Sequence, residues 1–196
     1  NIQVTFTPVW AETGDVVISE IMADPLPEVS LPGKEYIEIT NRTGYSFNLK
    51  NWRLETEGQY TLFPEKSIQP SGIIIICLSQ DTLLFKKFGR VIGMKQFSSL
   101  TDDGRIIYIS DSTGTLMHGV EYSSEWSKDE LKSKGGWSLE MIDTGFPFCY
   151  HDNWIASESK KGGTPGLINS VSGSNPDISF HGIQNVFPVD SVTIRI

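Results

Sequence analysis

Two adjacent glycines, Gly135 and Gly136, open a run in which Trp137, Leu139 and Met141 recur at every second position. Further on, Gly162-Gly163-Thr164-Pro165-Gly166 leads into Leu167-Ile168-Asn169-Ser170. Period-two alternation is the signature of a strand with one buried face. Pro165 presets φ near about −65° and Gly166 tolerates positive φ, the combination a type II turn requires. The stretch holds no nucleophile, base or metal cage, so it constrains the fold and leaves chemistry open.

The rest of the chain repeats this short-strand grammar. Strands are expected over Asn1–Thr7, Val16–Met22, Glu35–Thr40, Asn51–Glu55, Gln59–Phe63 and Gly72–Leu78. They continue over Arg105–Ser110, Thr115–Tyr122, Trp137–Ile142 and Asn153–Ala156, with turn residues between them. Val16–Met22 alternates imperfectly and Gly72–Leu78 is apolar throughout, which predicts cover on both faces. Asp111-Ser-Thr-Gly114 reads as a hairpin turn. Asp81–Phe88 reads as a short helix capped by Asp81, with Leu84 and Phe88 sharing a face and Gly89 ending it. Lys128–Lys132 has room for one helical turn.

The chain has 196 residues and a net charge of −8, a balance that disfavours nucleic acid and anionic lipid. No apolar run approaches the ~20 residues needed to span a bilayer, and the residues that follow Asn1 do not read as a signal peptide.

Chemistry-bearing residues are few. His118, His151 and His181 have neither HExxH nor any i, i+4 spacing, and no Gly-x-Ser-x-Gly elbow supports a hydrolase. Asp24, Asp102, Asp103, Asp111, Asp143 and Asp152 stand in loops, where turn formation competes with calcium binding as their role. Trp52, Trp137 and Trp154 fall in or beside strands and are read as core. Tyr122, Trp126 and Tyr150 lie near strand ends or in loops, where they either plug the end of a sandwich or offer a stacking surface to a ligand.

Several motifs in order resemble bacterial lamin-tail domains. They are Asp15-Val-Val-Ile-Ser-Glu-Ile-Met-Ala-Asp-Pro25, Glu35-Tyr-Ile-Glu-Ile-Thr-Asn41, Asn48-Leu-Lys-Asn-Trp52, Leu100-Thr-Asp-Asp-Gly104 and the Gly135–Ser170 stretch. The resemblance implies an all-β, immunoglobulin-like β-sandwich of lamin-tail type with one short helix near 81–88. It divides the chain into the end of a preceding segment (1–14), the lamin-tail domain (15–170), and a linker with the first strands of a following immunoglobulin-like domain (171–196). The apolar faces of Ile2–Thr7 and Val192–Ile196 are expected to be held in β-ladders.

Such domains are usually modules of larger extracellular bacterial proteins. The resemblance therefore implies an exported protein, periplasmic, cell-surface or extracellular. The lack of any spaced nucleophile–base or ligand set leads us to expect no catalytic residues and no cofactor, and the expected partners are flanking domains, another protein or a cell-surface polymer. The expected role is a non-catalytic structural or protein-interaction module. A carbohydrate- or polymer-binding module positioning an attached enzyme is the alternative, and nucleic-acid binding a weaker one. The resembled family often carries cysteines matching Cys77 and Cys149, which implies a disulfide crossing the sandwich. By the chain-entropy account such a link contributes on the order of 4 kcal/mol.

Overall fold

The computed structural model describes residues 9–97, 99–148 and 151–173. Its strands are β1 (Val16–Met22), β2 (Tyr36–Asn41), β3 (Phe47–Asn48), β4 (Arg53–Thr56), β5 (Gln59–Leu62), β6 (Ser67–Ile68), β7 (Ile73–Leu78), β8 (Val91–Met94), β9 (Gly104–Ser110), β10 (Leu116–Ser123), β11 (Leu139–Met141) and β12 (Trp154–Ala156). One short helix, α1 (Thr82–Phe85), follows a 3-10 turn at Ser79–Asp81.

A six-stranded sheet ordered β12-β11-β1-β2-β7-β8 packs on a four-stranded sheet ordered β10-β9-β4-β5, with the β3–β6 ladder as a third, small sheet. Pairing is antiparallel throughout except between β7 and β8. Between the sheets lies a single apolar layer that includes Ile18, Ile21, Ile37, Ile39, Ile76, Trp52, Leu54, Ile107, Ile109, Leu139, Met141 and Trp154. This is the expected β-sandwich, with Trp52 and Trp154 in its core. Trp137 departs from the expectation. It is half-buried and carries the Lys132 ammonium 5.0 Å from its ring centre, outside the core.

A bulge between Ile18 and Glu20 lets both Ile18 and Ile21 face the core while Ser19 and Glu20 stay on the outer side. All seven residues of β1 are buried, so both faces of the six-stranded sheet are covered. Two pieces of chain do the covering. Because β7 and β8 run parallel, the chain must cross back over the sheet between them, and residues 79–90 make that crossing. The segment from Ser157 to Val171 covers the neighbouring strands.

The helix is shorter than Asp81–Phe88, and its buried residue is Phe85, not Leu84. Asp81 makes no side-chain cap. The ring of Phe85 meets Tyr36 edge-on at 5.3 Å and Phe88 at 6.3 Å, an i, i+3 pair that seats the crossing on the sheet. Lys128–Lys132 is not helical; the 3-10 turns are Ser124–Ser127 and Lys132–Lys134. Strand β8 is an addition to the expected set, being four residues long and set directly after the crossing.

Turn chemistry matches the sequence closely. The Leu167 N–H bonds the Thr164 carbonyl at 2.9 Å, and Gly166 has φ of 80°, completing the type II turn. Asp111 and Thr115 close the β9–β10 hairpin. Glu57 and Gly58, both at positive φ, form the tight turn between β4 and β5. Asn1–Thr7, Val192–Ile196 and the expected following domain lie outside the described residues. At the other end, Ala11 packs on the core and the Gly14 N–H bonds the Met117 carbonyl.

Candidate functional site

Three glutamates stand in one cross-strand row on the outer face of the six-stranded sheet. Glu20 on β1 is the register partner of Glu140 on β11 and of Glu38 on β2. Each is fully buried. The sequence places each carboxylate inside a strand with at least one apolar neighbour, in Ser-Glu-Ile, Ile-Glu-Ile and Leu-Glu-Met. Neighbouring strands then bring the three together.

Their partners come mostly from the covering segment. Oε1 of Glu20 accepts hydrogen bonds from the Tyr36 hydroxyl (2.6 Å), the Ser138 hydroxyl (2.6 Å) and the Thr164 N–H (2.9 Å). Glu38 accepts from the Ser19 hydroxyl (3.0 Å) and the Gly166 N–H (2.6 Å). Glu140 accepts from the hydroxyls of Thr164 (2.8 Å) and Ser170 (2.7 Å) and from the Val171 N–H (3.2 Å). Asn169 donates to the carbonyls of Ser19 and Met141, both at 2.8 Å, tying the segment to β1 and β11 at the bulge.

Burial, and next the charge of Glu140, push the Glu20 carboxyl up to about 7. Burial, reinforced by Glu20, holds Glu38 well above the usual carboxylate range. Burial also raises the Tyr36 phenol, with Glu20 adding to it. Among the described residues the ion pairs are Lys50–Glu65, Arg105–Glu57 and His151–Asp152, so none of these neutralises the row. No group of three or more His, Cys, Asp or Glu among the described residues has the geometry to hold a metal.

Among the described residues no segment covers the outer side of the other sheet. In register across β5, β4, β9 and β10 run Tyr60, Glu55, Tyr108 and Gly119. Next to this row, Arg53 lies 5.2 Å from the Tyr60 ring centre, and Tyr60 and Leu62 are exposed. Gly119 has a reason to be glycine, because a Cβ there would sit 2.6 Å from the Tyr108 ring. A shallow cleft of about 890 Å³ adjoins the row, lined by Arg105, Ile106, Tyr108, Glu121, Trp126 and Lys128, among others.

The stacking aromatics are not displayed together. Tyr122 is buried and its hydroxyl donates to the Thr101 carbonyl at 2.8 Å, with burial raising the phenol. It plugs the sandwich, because its position in β10 turns it inward. Trp126 is half-buried and tilted against Trp154 at 6.1 Å. Tyr150 lies outside the described residues. Tyr122→Phe is expected to cost about 1 kcal/mol, the loss of one buried hydrogen bond, as measured by urea unfolding. A cost of zero would mean that the hydroxyl contributes nothing there.

Cys77 corrects the expected disulfide. It is a buried free thiol on the outer side of the six-stranded sheet, packed with Met22, Tyr36, Ile75 and Phe85. Its side chain faces away from the sandwich interior, so no link from it crosses between the sheets. Burial, then the charge of Asp81, push this thiol up to about 12. Cys149 lies outside the described residues.

The loop aspartates act in turns where their bonds are seen. Asp111 Oδ1 accepts from the N–H groups of Thr113 and Thr115, both at 2.8 Å, and Asp143 from the Gly145 N–H at 2.6 Å. Asp24 accepts weakly from the Leu26 N–H, Asp102 and Asp103 are exposed, and Asp152 pairs with His151. His118 is a core residue. Its Nδ1 accepts from the Ile18 N–H at 3.3 Å, so Nε2 carries the proton and donates to the Pro147 carbonyl at 3.0 Å.

The family model described as Lamin Tail Domain matches residues 11–124, more than half of the 196 residues. The chain belongs to the lamin tail domain family. Lamin tail domains are immunoglobulin-like β-sandwiches without catalytic function, in keeping with a structural or interaction module. Comparison with curated proteins finds no match. The matched region stops just after β10, yet β11 and β12 complete the six-stranded sheet beside β1 and the 157–171 segment bonds to β1 and β2. This lamin tail domain is therefore completed by residues beyond the match. The glutamate row is what sequence reasoning missed. The readable signal was a glutamate inside each of three strands otherwise buried on both faces.

Proposed function

We propose that this lamin tail domain is a protein-interaction module of a larger exported bacterial protein, and that it docks its partner on the outer face of the four-stranded sheet. The carrying observation is the asymmetry between the two sheets. One has its outer face buried under residues 79–90 and 157–171, while the other leaves Tyr60 and Leu62 exposed and Tyr108 and Arg53 half-buried, with no covering segment among the described residues. Aromatic residues and arginine flanked by carboxylates such as Glu55 and Glu121 are the composition of a protein-binding surface. Tyr122 and Trp126, the residues that favoured a sugar-stacking role, are turned inward or half-buried, which weakens that reading. Among the described residues no helix is long and apolar enough to cross a membrane. The exported setting is supported by the resemblance to bacterial modules.

The test is site-specific photo-crosslinking in the full-length protein within its source cells. A photoreactive residue at Tyr60 or Tyr108 should give discrete adducts of defined mass, and one at Leu83 on the covering helix should not. Adducts that resist protease but yield to glycosidase would assign the face to a polymer. Equal labelling from both faces would remove the proposal.

A further inference from the structure

The glutamate row and the segment above it form two halves of one device. We infer that Glu20 and Glu38, in register beside Glu140, are a proton-operated latch for residues 157–171, closed while these two carboxyls hold a proton and released as they ionise. The geometry makes the two inseparable. Two residues of the type II turn are gripped by carboxyl oxygens, its first, Thr164, by Glu20 and Glu140, and its third, Gly166, by Glu38. The far end of the segment is held by Glu140 through Ser170 and Val171. The fit leaves no slack: a Cβ on Gly163 would lie 2.7 Å from both Glu20 Oε1 and the Tyr36 hydroxyl.

Closing the segment therefore buries three carboxyls with no cation from the described residues paired to them. Of the titratable groups near the row, Tyr36 on β2 donates to Glu20, and Cys77 on β7 with Asp81 beside the helix lie further along the same face. Within the segment, Glu158, Lys160 and Lys161 are exposed. Lys132, from the preceding turn, bonds the Ser157 carbonyl instead of a carboxylate. Three full negative charges in adjacent register positions repel one another and lose hydration, so each proton removed weakens closure. Burial raises both carboxyls, Glu20 up to about 7, so that its ionisation falls near neutrality, with Glu38 raised in the same direction.

Glu20 and Glu38 bind protons more tightly in the closed than in the open state. Closure is therefore strongest below their open-state values and weakens as pH rises through their closed-state values.

Hydrogen exchange of the Thr164, Gly166 and Val171 amides, corrected for the intrinsic pH dependence of exchange, tests the latch between pH 5.5 and 8.5. Protection should fall roughly tenfold or more across that range, while Ile39 and Ile75 in the sheet stay protected. Glu20→Gln with Glu38→Gln keeps acceptors in place without the charge and should flatten the profile. The wild-type profile alone decides if that variant does not fold. Protection independent of pH would overturn the latch, and so would loss of segment and sheet protection together, which is global unfolding.

Discussion

Gly135→Ala should destabilise the domain by roughly 4 kcal/mol, a large share of the 5–15 kcal/mol that holds a typical domain folded. Gly135 has φ of 100°, where an L side chain is strained. A Cβ there would also be driven into the Leu26 carbonyl oxygen and to 2.6 Å from Asp24 Oδ2. Backbone cannot step aside as a flexible side chain can. The Gly136 N–H meanwhile bonds the Asp24 carbonyl at 2.8 Å, so the 23–27 loop and the start of the β11 region are pinned together at this point. Gly58→Ala is the control that separates the two effects. Gly58 also has positive φ, 75°, but nothing lies within 4 Å of its added Cβ, so only the conformational term of about 1 kcal/mol applies. Urea unfolding followed by tryptophan fluorescence gives both numbers. Equal costs for the two variants would show that the close approach at Gly135 is absent in solution.

That the two glycines mark a turn ahead of a strand was legible because positive φ and missing side chains leave a local mark in the sequence, although the strand begins at Leu139 and not at Trp137. The Thr-Pro-Gly turn and the β9–β10 hairpin were legible for the same reason. What was not legible depends on contacts made far along the chain. Strand β8 exists because β7 offers it a parallel edge after the crossing, and four residues carry too little pattern to announce that. Leu84 resembles a buried position because apolar residues follow one another from Leu83 to Phe85. Only the location of Tyr36 decides that Phe85 turns inward. The glutamate row is the clearest case. Glu38 sits 18 residues and Glu140 sits 120 residues from Glu20 in sequence, and only the register of β11, β1 and β2 makes one site of them.

His118 should make the domain acid-sensitive by about 3 kcal/mol. The ring is 1% exposed, and both nitrogens are used in its neutral form, Nδ1 as acceptor and Nε2 as donor. Protonating Nδ1 would replace an accepted bond with two donors facing each other. Burial, the largest cause, and the positive charge of Arg42 bring the ring down to about 4 from an ordinary 6.5, the Pro147 bond opposing them. The unfolded chain therefore binds a proton that the folded one refuses. The stabilisation is complete above about pH 6.5 and is lost as pH falls through about 4. Each tenfold difference in proton affinity between the folded and unfolded chain is worth about 1.36 kcal/mol, which sets the size of the effect.

Glu20 acts in the opposite sense over an overlapping window, since its raised carboxyl favours the folded state at lower pH. The total stability curve will therefore look flatter than either contribution. The difference between wild type and His118→Gln isolates the histidine, because Gln keeps an acceptor and a donor and cannot titrate. Urea unfolding at pH 7.5 and pH 4 should show the wild-type advantage shrinking, or reversing, by about 3 kcal/mol. An independent reading is the His118 ring resonance in the folded protein, expected to stay in its neutral position down to pH 5. A wild-type advantage that does not change with pH, or a ring that titrates near 6.5, would place His118 in a solvated setting and contradict its burial between β1 and the Pro147 carbonyl.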